Sequence, residues 1–121
     1  MTIPVIAVTS GEPAGIGPEL CLRLAEGSFP ARLVVIGDGE MLAERARISG
    51  GTVPLRAYRP DADVAPGIEL IHVPLAAGSD PGVLNPANAA YVLQLLDLAL
   101  HGCCRGEFAA MVTAPVHKGV I

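Results

Sequence analysis

The chain has 121 residues, of which 51% are hydrophobic and only 3% aromatic, with a formal net charge of −4. That length bounds it at one domain, and the apolar content excludes an intrinsically disordered chain. The acidic balance argues against a nucleic-acid partner. No apolar run approaches the ~18 residues of a membrane span, and no Lys or Arg precedes an apolar stretch near Met1 as in a secretory signal.

Ala, Val, Leu and Ile supply nearly all the apolar content, which is the economy of a buried sheet covered by Ala/Leu helices. Cys21, Cys103 and Cys104 are odd in number and form no C-x-x-C pair. They imply neither a disulfide framework nor a zinc knuckle. Reduced, mostly buried thiols in a cytoplasmic protein are expected.

Ile3 to Val8 is a β-branched run that reads as a buried strand. Gly17-Pro18-Glu19 opens a helix, with proline in the first turn and an acid at the positive end of the dipole. Leu20, Leu22, Leu24 and Ala25 give that helix an apolar side, and Gly27 stops it. Leu33 to Ile36 is a second buried strand, bounded by Gly37-Asp38-Gly39. A helix follows over about Glu40 to Ile48 and ends at Gly50-Gly51.

Val53 to Tyr58 reads as a third, shorter strand, and Arg59 to Pro66 as a loop. Ile68 to Val73 is a further strand, and Leu75 to Val83 another loop. Asn85-Pro86 marks a helix start, with Asn as cap and Pro at the first position. That helix runs to Gly102, and Ala109 to Val112 is a last buried strand. Alternating strands and helices predict a single α/β unit with a parallel or mixed sheet and helices on its faces. A new βα unit starts after Thr113 with no helix behind it, so the chain is expected to be part of a longer one.

In open α/β sheets, ligands gather outside the carboxyl ends of the strands. Three polar, glycine-containing segments follow strands here: Ser10 to Glu19, Gly37 to Glu40, and Thr113 to Gly119. If the strands are parallel, all three lie on one edge. The first is rich in glycine and precedes a helix, which suits an anion. It is not the dinucleotide fingerprint, because the third glycine is missing and Pro18 intrudes. Asp38 stands where a ribose-binding acid would stand; the alternative is a solvated Asp beside a tight structural turn. Thr113 and Lys118 suit a phosphate or carboxylate, and His117 a base or ligand; an ordinary strand-end Thr and surface Lys are the alternative. His72 and His101 lack metal-ligand spacing.

The segment Thr9-Ser10-Gly11-Glu12-Pro13-Ala14-Gly15-Ile16-Gly17-Pro18-Glu19-Leu20 resembles the opening signature of the 4-hydroxythreonine-4-phosphate dehydrogenases. The run from Gly106 to Ile121, with Thr113-Ala114-Pro115-Val116-His117-Lys118-Gly119, resembles a second block of that family. Pro81-Gly82-Val83-Leu84-Asn85 lies between them in the expected order, and residues 39–75 match only loosely. The resemblance implies an isocitrate-dehydrogenase-like α/β fold, present as its N-terminal part, and a homodimeric cytoplasmic oxidoreductase of pyridoxine and pyridoxal phosphate biosynthesis.

The implied reaction oxidises 4-phosphooxy-L-threonine with NAD, followed by decarboxylation to an amino-ketone phosphate. It also implies a divalent metal (zinc, magnesium or cobalt) in the full enzyme, with ligands outside these 121 residues. On this chain it places Glu12, Gly15 and Gly17 in a cleft wall, and Thr113, His117 and Lys118 in the loop beside the active site, without a proton-transfer role for any. The 121 residues alone are expected to be inactive. A dehydrogenase of a four-carbon sugar acid phosphate and a non-catalytic anion-binding α/β module are the alternative readings.

Overall fold

A computed structural model describes residues 3–63 and 67–116. Five strands form one sheet: β1 (Val5–Thr9), β2 (Arg32–Gly37), β3 (Leu55–Ala57), β4 (Ile68–His72) and β5 (Ala110–Thr113). Three helices accompany them: α1 (Gly17–Leu22), α2 (Gly39–Ile48) and α3 (Ala89–Cys104). The strand order is β3-β4-β2-β1-β5 and every pairing is parallel. The layered α/β fold expected from the alternating pattern is therefore present, and the sheet is parallel rather than mixed.

Side chains alternate across the sheet and sort into two cores. On one face Val8 and Val35 meet Cys21 and Leu22 of α1 and Met41, Leu42 and Ala46 of α2. On the other, Ala7 and Ile36 meet Tyr91, Val92, Leu95 and Ala99 of α3. The chain leaves β1 toward β2 on one side and later reaches β5 on the other. Right-handed crossovers then force α1 and α3 onto opposite faces.

Several expected elements shift. The first helix keeps α geometry only to Leu22 and continues as a 3-10 turn, Arg23–Glu26, up to Gly27. Its buried face is Gly17, Pro18, Cys21 and Leu22; of the expected apolar side Leu22 is buried and Leu24 packs against the core, whereas Leu20 and Ala25 are exposed. The third helix begins as a 3-10 turn over Pro86–Asn88, capped by the Asn85 side chain accepting from the Ala87 N–H at 3.0 Å. The expected third strand shrinks to three residues at the sheet edge. The final strand was expected to be buried. Instead β5 is the opposite edge, with Ala110, Val112 and Thr113 exposed.

The thiols differ from one another. Cys21 is buried against α2, Cys103 is half-buried and Cys104 is exposed, which corrects the expectation of mostly buried cysteines. Burial pushes the Cys21 thiol up from 9.0 to about 11, because the low-dielectric core disfavours the thiolate. A thiol-specific reagent near neutral pH is expected to modify Cys104 rapidly in the native protein and to spare Cys21 until the chain unfolds. The unfolded chain releases the Cys21 proton near 9 and the folded chain near 11. Folding stability therefore carries no loss from this group below pH 9 and falls as pH rises from 9 to 11. Urea unfolding at stepped pH, with Cys21→Ala flattening the alkaline decline, checks the sign.

Candidate functional site at the carboxyl edge of the sheet

Because all strands are parallel, the segments after β1, β2, β4 and β5 emerge on one edge. The three segments marked in the sequence share that edge, as far as residue 116. β2 lies on one side of β1 and β5 on the other. The loops following β1 and β5 pack directly on each other. Glu12 N–H donates to the Pro115 carbonyl at 3.0 Å, and Ala114 N–H donates to the Thr9 carbonyl at 3.0 Å.

Two glycines make that approach possible. Gly11 has φ +75° and offers no room for a Cβ, which would run into the Pro115 carbonyl oxygen. A Cβ on Gly17 would overlap the Ser10 carbonyl oxygen and come 2.9 Å from Ala114 Cβ. Gly15 differs. It has no positive φ, and its nearest neighbour to a new Cβ would be the Glu12 carbonyl oxygen at 3.5 Å, an ordinary contact. The fold therefore requires Gly11 and Gly17, whereas Gly15 is free to be chosen for another reason.

Arg45 of α2 fixes the first loop from below. Its side chain is buried, and Nη1 donates to the Gly15 carbonyl at 3.2 Å and to Glu19 Oε1 at 2.8 Å. Nη2 donates to the Pro13 carbonyl. A guanidinium suits this task because its donors have fixed geometry. The sequence reading passed over Arg45, although a signal exists: it follows Met41 and Leu42 at helical spacing, on the buried stripe of α2.

Glu12 is 3% exposed. Its Oε1 accepts a long bond from the Ala14 N–H at 3.4 Å, and Oε2 has no partner. The Thr9 hydroxyl oxygen is likewise buried and unpartnered. Buried polar atoms are normally paired, so the first loop holds unfilled hydrogen-bonding capacity.

Asp38 plays a different part from the one weighed in the sequence. It caps α2, with Oδ1 accepting from the Met41 N–H at 3.0 Å, and Oδ2 accepts from the Leu75 N–H at 2.7 Å. Both oxygens serve the fold, and the residue is buried; neither the ribose acid nor a solvated Asp describes it. The Tyr91 hydroxyl accepts from the Asp38 N–H at 2.9 Å and lies 3.3 Å from Ser10 Oγ, tying the ends of β1 and β2 to α3. Burial raises the Tyr91 phenol, keeping it neutral in this network. His72 Nδ1 accepts from the Gly39 N–H at 3.0 Å, so this histidine shapes the start of α2. A hollow of about 540 Å³ opens between α2 and residues 74–81, with Glu40, Glu44 and Asp80 on its walls.

Thr113 ends β5, exposed and opposite Thr9 in register. His117 and Lys118 lie outside the described residues. Glu12, Gly15 and Gly17 are thus brought together with the Thr113 strand end. Among the described residues no group of three His, Cys, Asp or Glu is placed to hold a metal ion, and no helix is long and apolar enough to cross a membrane.

A parallel sheet with a glycine-bearing loop at its carboxyl edge defines an α/β protein whose candidate site lies where such sheets bind ligands. The family model described as "Pyridoxal phosphate biosynthetic protein PdxA" matches residues 30–121, and the chain belongs to that family. It is 59% identical over 121 residues to the 4-hydroxythreonine-4-phosphate dehydrogenase of Aromatoleum aromaticum, covering 99% of this chain and 36% of the relative. The enzyme of the same name from Chromobacterium violaceum is 58% identical over 119 residues, covering 98% of this chain and 36% of the relative. The crystal structure of 4-hydroxythreonine-4-phosphate dehydrogenase from Klebsiella pneumoniae is similar at TM-score 0.86 and 32% identity, covering 97% of this chain and 38% of that one. A terephthalate 1,2-cis-dihydrodiol dehydrogenase from Burkholderia xenovorans shares the fold at TM-score 0.78, with 24% identity over 97% of this chain and 35% of that one. The chain spans just over a third of the length of the curated relatives it matches.

Proposed function

We propose that this chain is the N-terminal part of an NAD-dependent 4-hydroxythreonine-4-phosphate dehydrogenase. The enzyme would oxidise 4-phosphooxy-L-threonine and release carbon dioxide to give an amino-ketone phosphate for pyridoxine synthesis. The carrying observation is the 59% identity to a dehydrogenase of that name across 99% of the chain. In this reading the first loop is a wall of the cleft. Gly11 and Gly17 set its course, Arg45 holds it from below, and Gly15 and Glu12 face the ligand's neighbourhood. Thr113, His117 and Lys118 border the same cleft from the β5 side. A cytoplasmic homodimer is part of the proposal.

The described residues do not offer a ligand set for the divalent metal that the resemblance implies. In the proposal zinc, magnesium or cobalt is held by residues beyond this chain. NAD, when bound, supplies the hydride acceptor; the residues of this chain would position it.

The test joins this chain to the remaining two thirds of the Aromatoleum aromaticum relative and follows NADH formation. Turnover of 4-phosphooxy-L-threonine, abolished by chelator and restored by added divalent metal, is expected. A folded joined protein that leaves this substrate untouched and turns over a four-carbon sugar acid phosphate would move the assignment to the related dehydrogenase.

A further inference from the structure

Every carbonyl from Glu12 to Ile16 is taken by a donor of the protein. The Glu12 carbonyl accepts from the Gly15 N–H at 3.0 Å, the Ala14 carbonyl from the Gly82 N–H at 2.8 Å and the Ile16 carbonyl from the Leu20 N–H at 3.1 Å. The two that alternate with these, of Pro13 and Gly15, both accept from the buried Arg45 guanidinium. A trans peptide is planar, and its C=O and N–H point in opposite directions; no cis bond occurs among the described residues. Holding the Pro13 and Gly15 carbonyls toward α2 therefore turns the Ala14 and Ile16 N–H groups away from it. The Ala14 N–H reaches only Glu12 Oε1, at 3.4 Å. The Ile16 N–H has no acceptor among the described residues, and Ile16 is 64% exposed. The loop thus spends its acceptors on the fold and keeps backbone donors for its open side.

We propose that Arg45 is a positioning residue for the cofactor: it fixes the Pro13–Ala14 and Gly15–Ile16 peptides so that their N–H groups meet acceptor atoms of NAD. Arg45 never touches the ligand in this account and acts through the backbone it holds. Gly15 explains why such a clamp is needed. Glycine lets a ligand come close, yet its broad φ/ψ range leaves the adjoining peptide free to rotate end for end. A rotated Gly15–Ile16 peptide would set a carbonyl where the donor stands, and the loop would repel the acceptors it now suits. The guanidinium prevents this because its fixed fork spans both carbonyls while Nη1 also holds Glu19 Oε1 at 2.8 Å. A lysine ammonium is a single point on a flexible stem and cannot hold both carbonyls in that geometry. The inference rests on the reading of the first loop as a wall of the NAD cleft.

The test uses the joined, full-length enzyme and its Arg45→Lys variant. Calorimetric titration of NAD without substrate reads the Kd, and steady-state rates read kcat and KM. Arg45→Lys is expected to raise both the Kd and the KM for NAD roughly tenfold, with kcat at saturating NAD retained. A residue that only stabilises the fold would do the reverse: kcat per mole of protein and the unfolding midpoint would fall, and the Kd for NAD would stay. That result overturns the proposal. Hydrogen exchange on the unsubstituted enzyme keeps the test open should Arg45→Lys fail to fold. Saturating NAD is expected to slow exchange in residues 14–17, and exchange that NAD leaves unaltered overturns the proposal as well. Gly15→Ala separates this inference from the reading beneath it. If Gly15→Ala weakens NAD binding and Arg45→Lys does not, the cleft wall stands and the role of Arg45 falls. If NAD binds and neither variant alters its Kd, the cleft reading itself falls and takes the role of Arg45 with it.

Discussion

Arg32→Ala is expected to remove about 3–5 kcal/mol of stability, as when one partner of a buried pair is deleted. Arg32 opens β2 and Glu69 lies in β4, and both are buried. Arg32 Nε donates to Glu69 Oε1 at 3.1 Å and Oε2 at 2.9 Å, and Nη2 donates to Oε1 at 2.6 Å. Nη2 also donates to the Arg59 carbonyl at 2.8 Å and Nη1 to the Pro60 carbonyl at 3.3 Å. The guanidinium lies 5.2 Å from the Tyr58 ring centre. Its hydrogen bond to Glu69 holds it further above its ordinary value. Alanine would leave the Glu69 carboxylate buried without its cation and remove a donor from the Arg59 and Pro60 carbonyls, the first of which keeps the Ala62 N–H. Domain stabilities are typically 5–15 kcal/mol, so the loss takes a large share. The double variant Arg32→Met with Glu69→Leu is expected to recover most of it, because burying neither charge avoids the desolvation cost. Urea denaturation measures both. An unchanged midpoint for Arg32→Ala would show that the pair contributes little.

Gly17→Ala is expected to cost about 3 kcal/mol or more, at or above the usual range for overpacking. The overlap is with the Ser10 backbone and with Ala114 Cβ at 2.9 Å, not with a flexible side-chain tip. Gly11→Ala adds a second penalty, since φ +75° is itself unfavourable for alanine by about 1–2 kcal/mol. Both variants are expected to lower the unfolding midpoint and to expose protease sites in residues 10–19. Native-like stability in either would mean that the loops after β1 and β5 do not meet as described.

Much of the sheet was legible because it is local. The apolar runs at Val5–Thr9, Arg32–Gly37 and Ile68–His72 are strands within a residue or two of where their composition places them. Asn85-Pro86 marked a helical start through a cap that the structure contains. Strand order was not legible, because it depends on pairings between residues far apart in sequence. The exposure of β5 follows from that order: Val112 is as apolar as Val35, and only its place at the edge uncovers it.

The candidate site divides the same way. Thr9 to Leu20 announced its loop by unusual composition. The residues that hold it were hidden: Arg45 and Tyr91 act through contacts across 30 and 81 positions. Asp38 was weighed as a ribose-binding acid or a solvated loop residue, whereas its two oxygens cap α2 and clasp Leu75. A charged residue inside a helix pattern reads as solvent-facing unless its position on the apolar stripe is weighed, as with Arg45 after Met41 and Leu42.

Gly15 gives the most direct test of the proposal that the first loop lines the cofactor cleft. The fold has room for a Cβ there, at 3.5 Å from its nearest neighbour, so Gly15→Ala should leave stability unchanged. Glycine at such a point permits close approach of backbone to a ligand. In the joined, full-length enzyme the variant is expected to raise the KM for NAD roughly tenfold, about 1.4 kcal/mol of lost binding, with an unaltered unfolding midpoint. An unchanged KM for NAD in a stable Gly15→Ala enzyme would place the cofactor elsewhere and contradict the account.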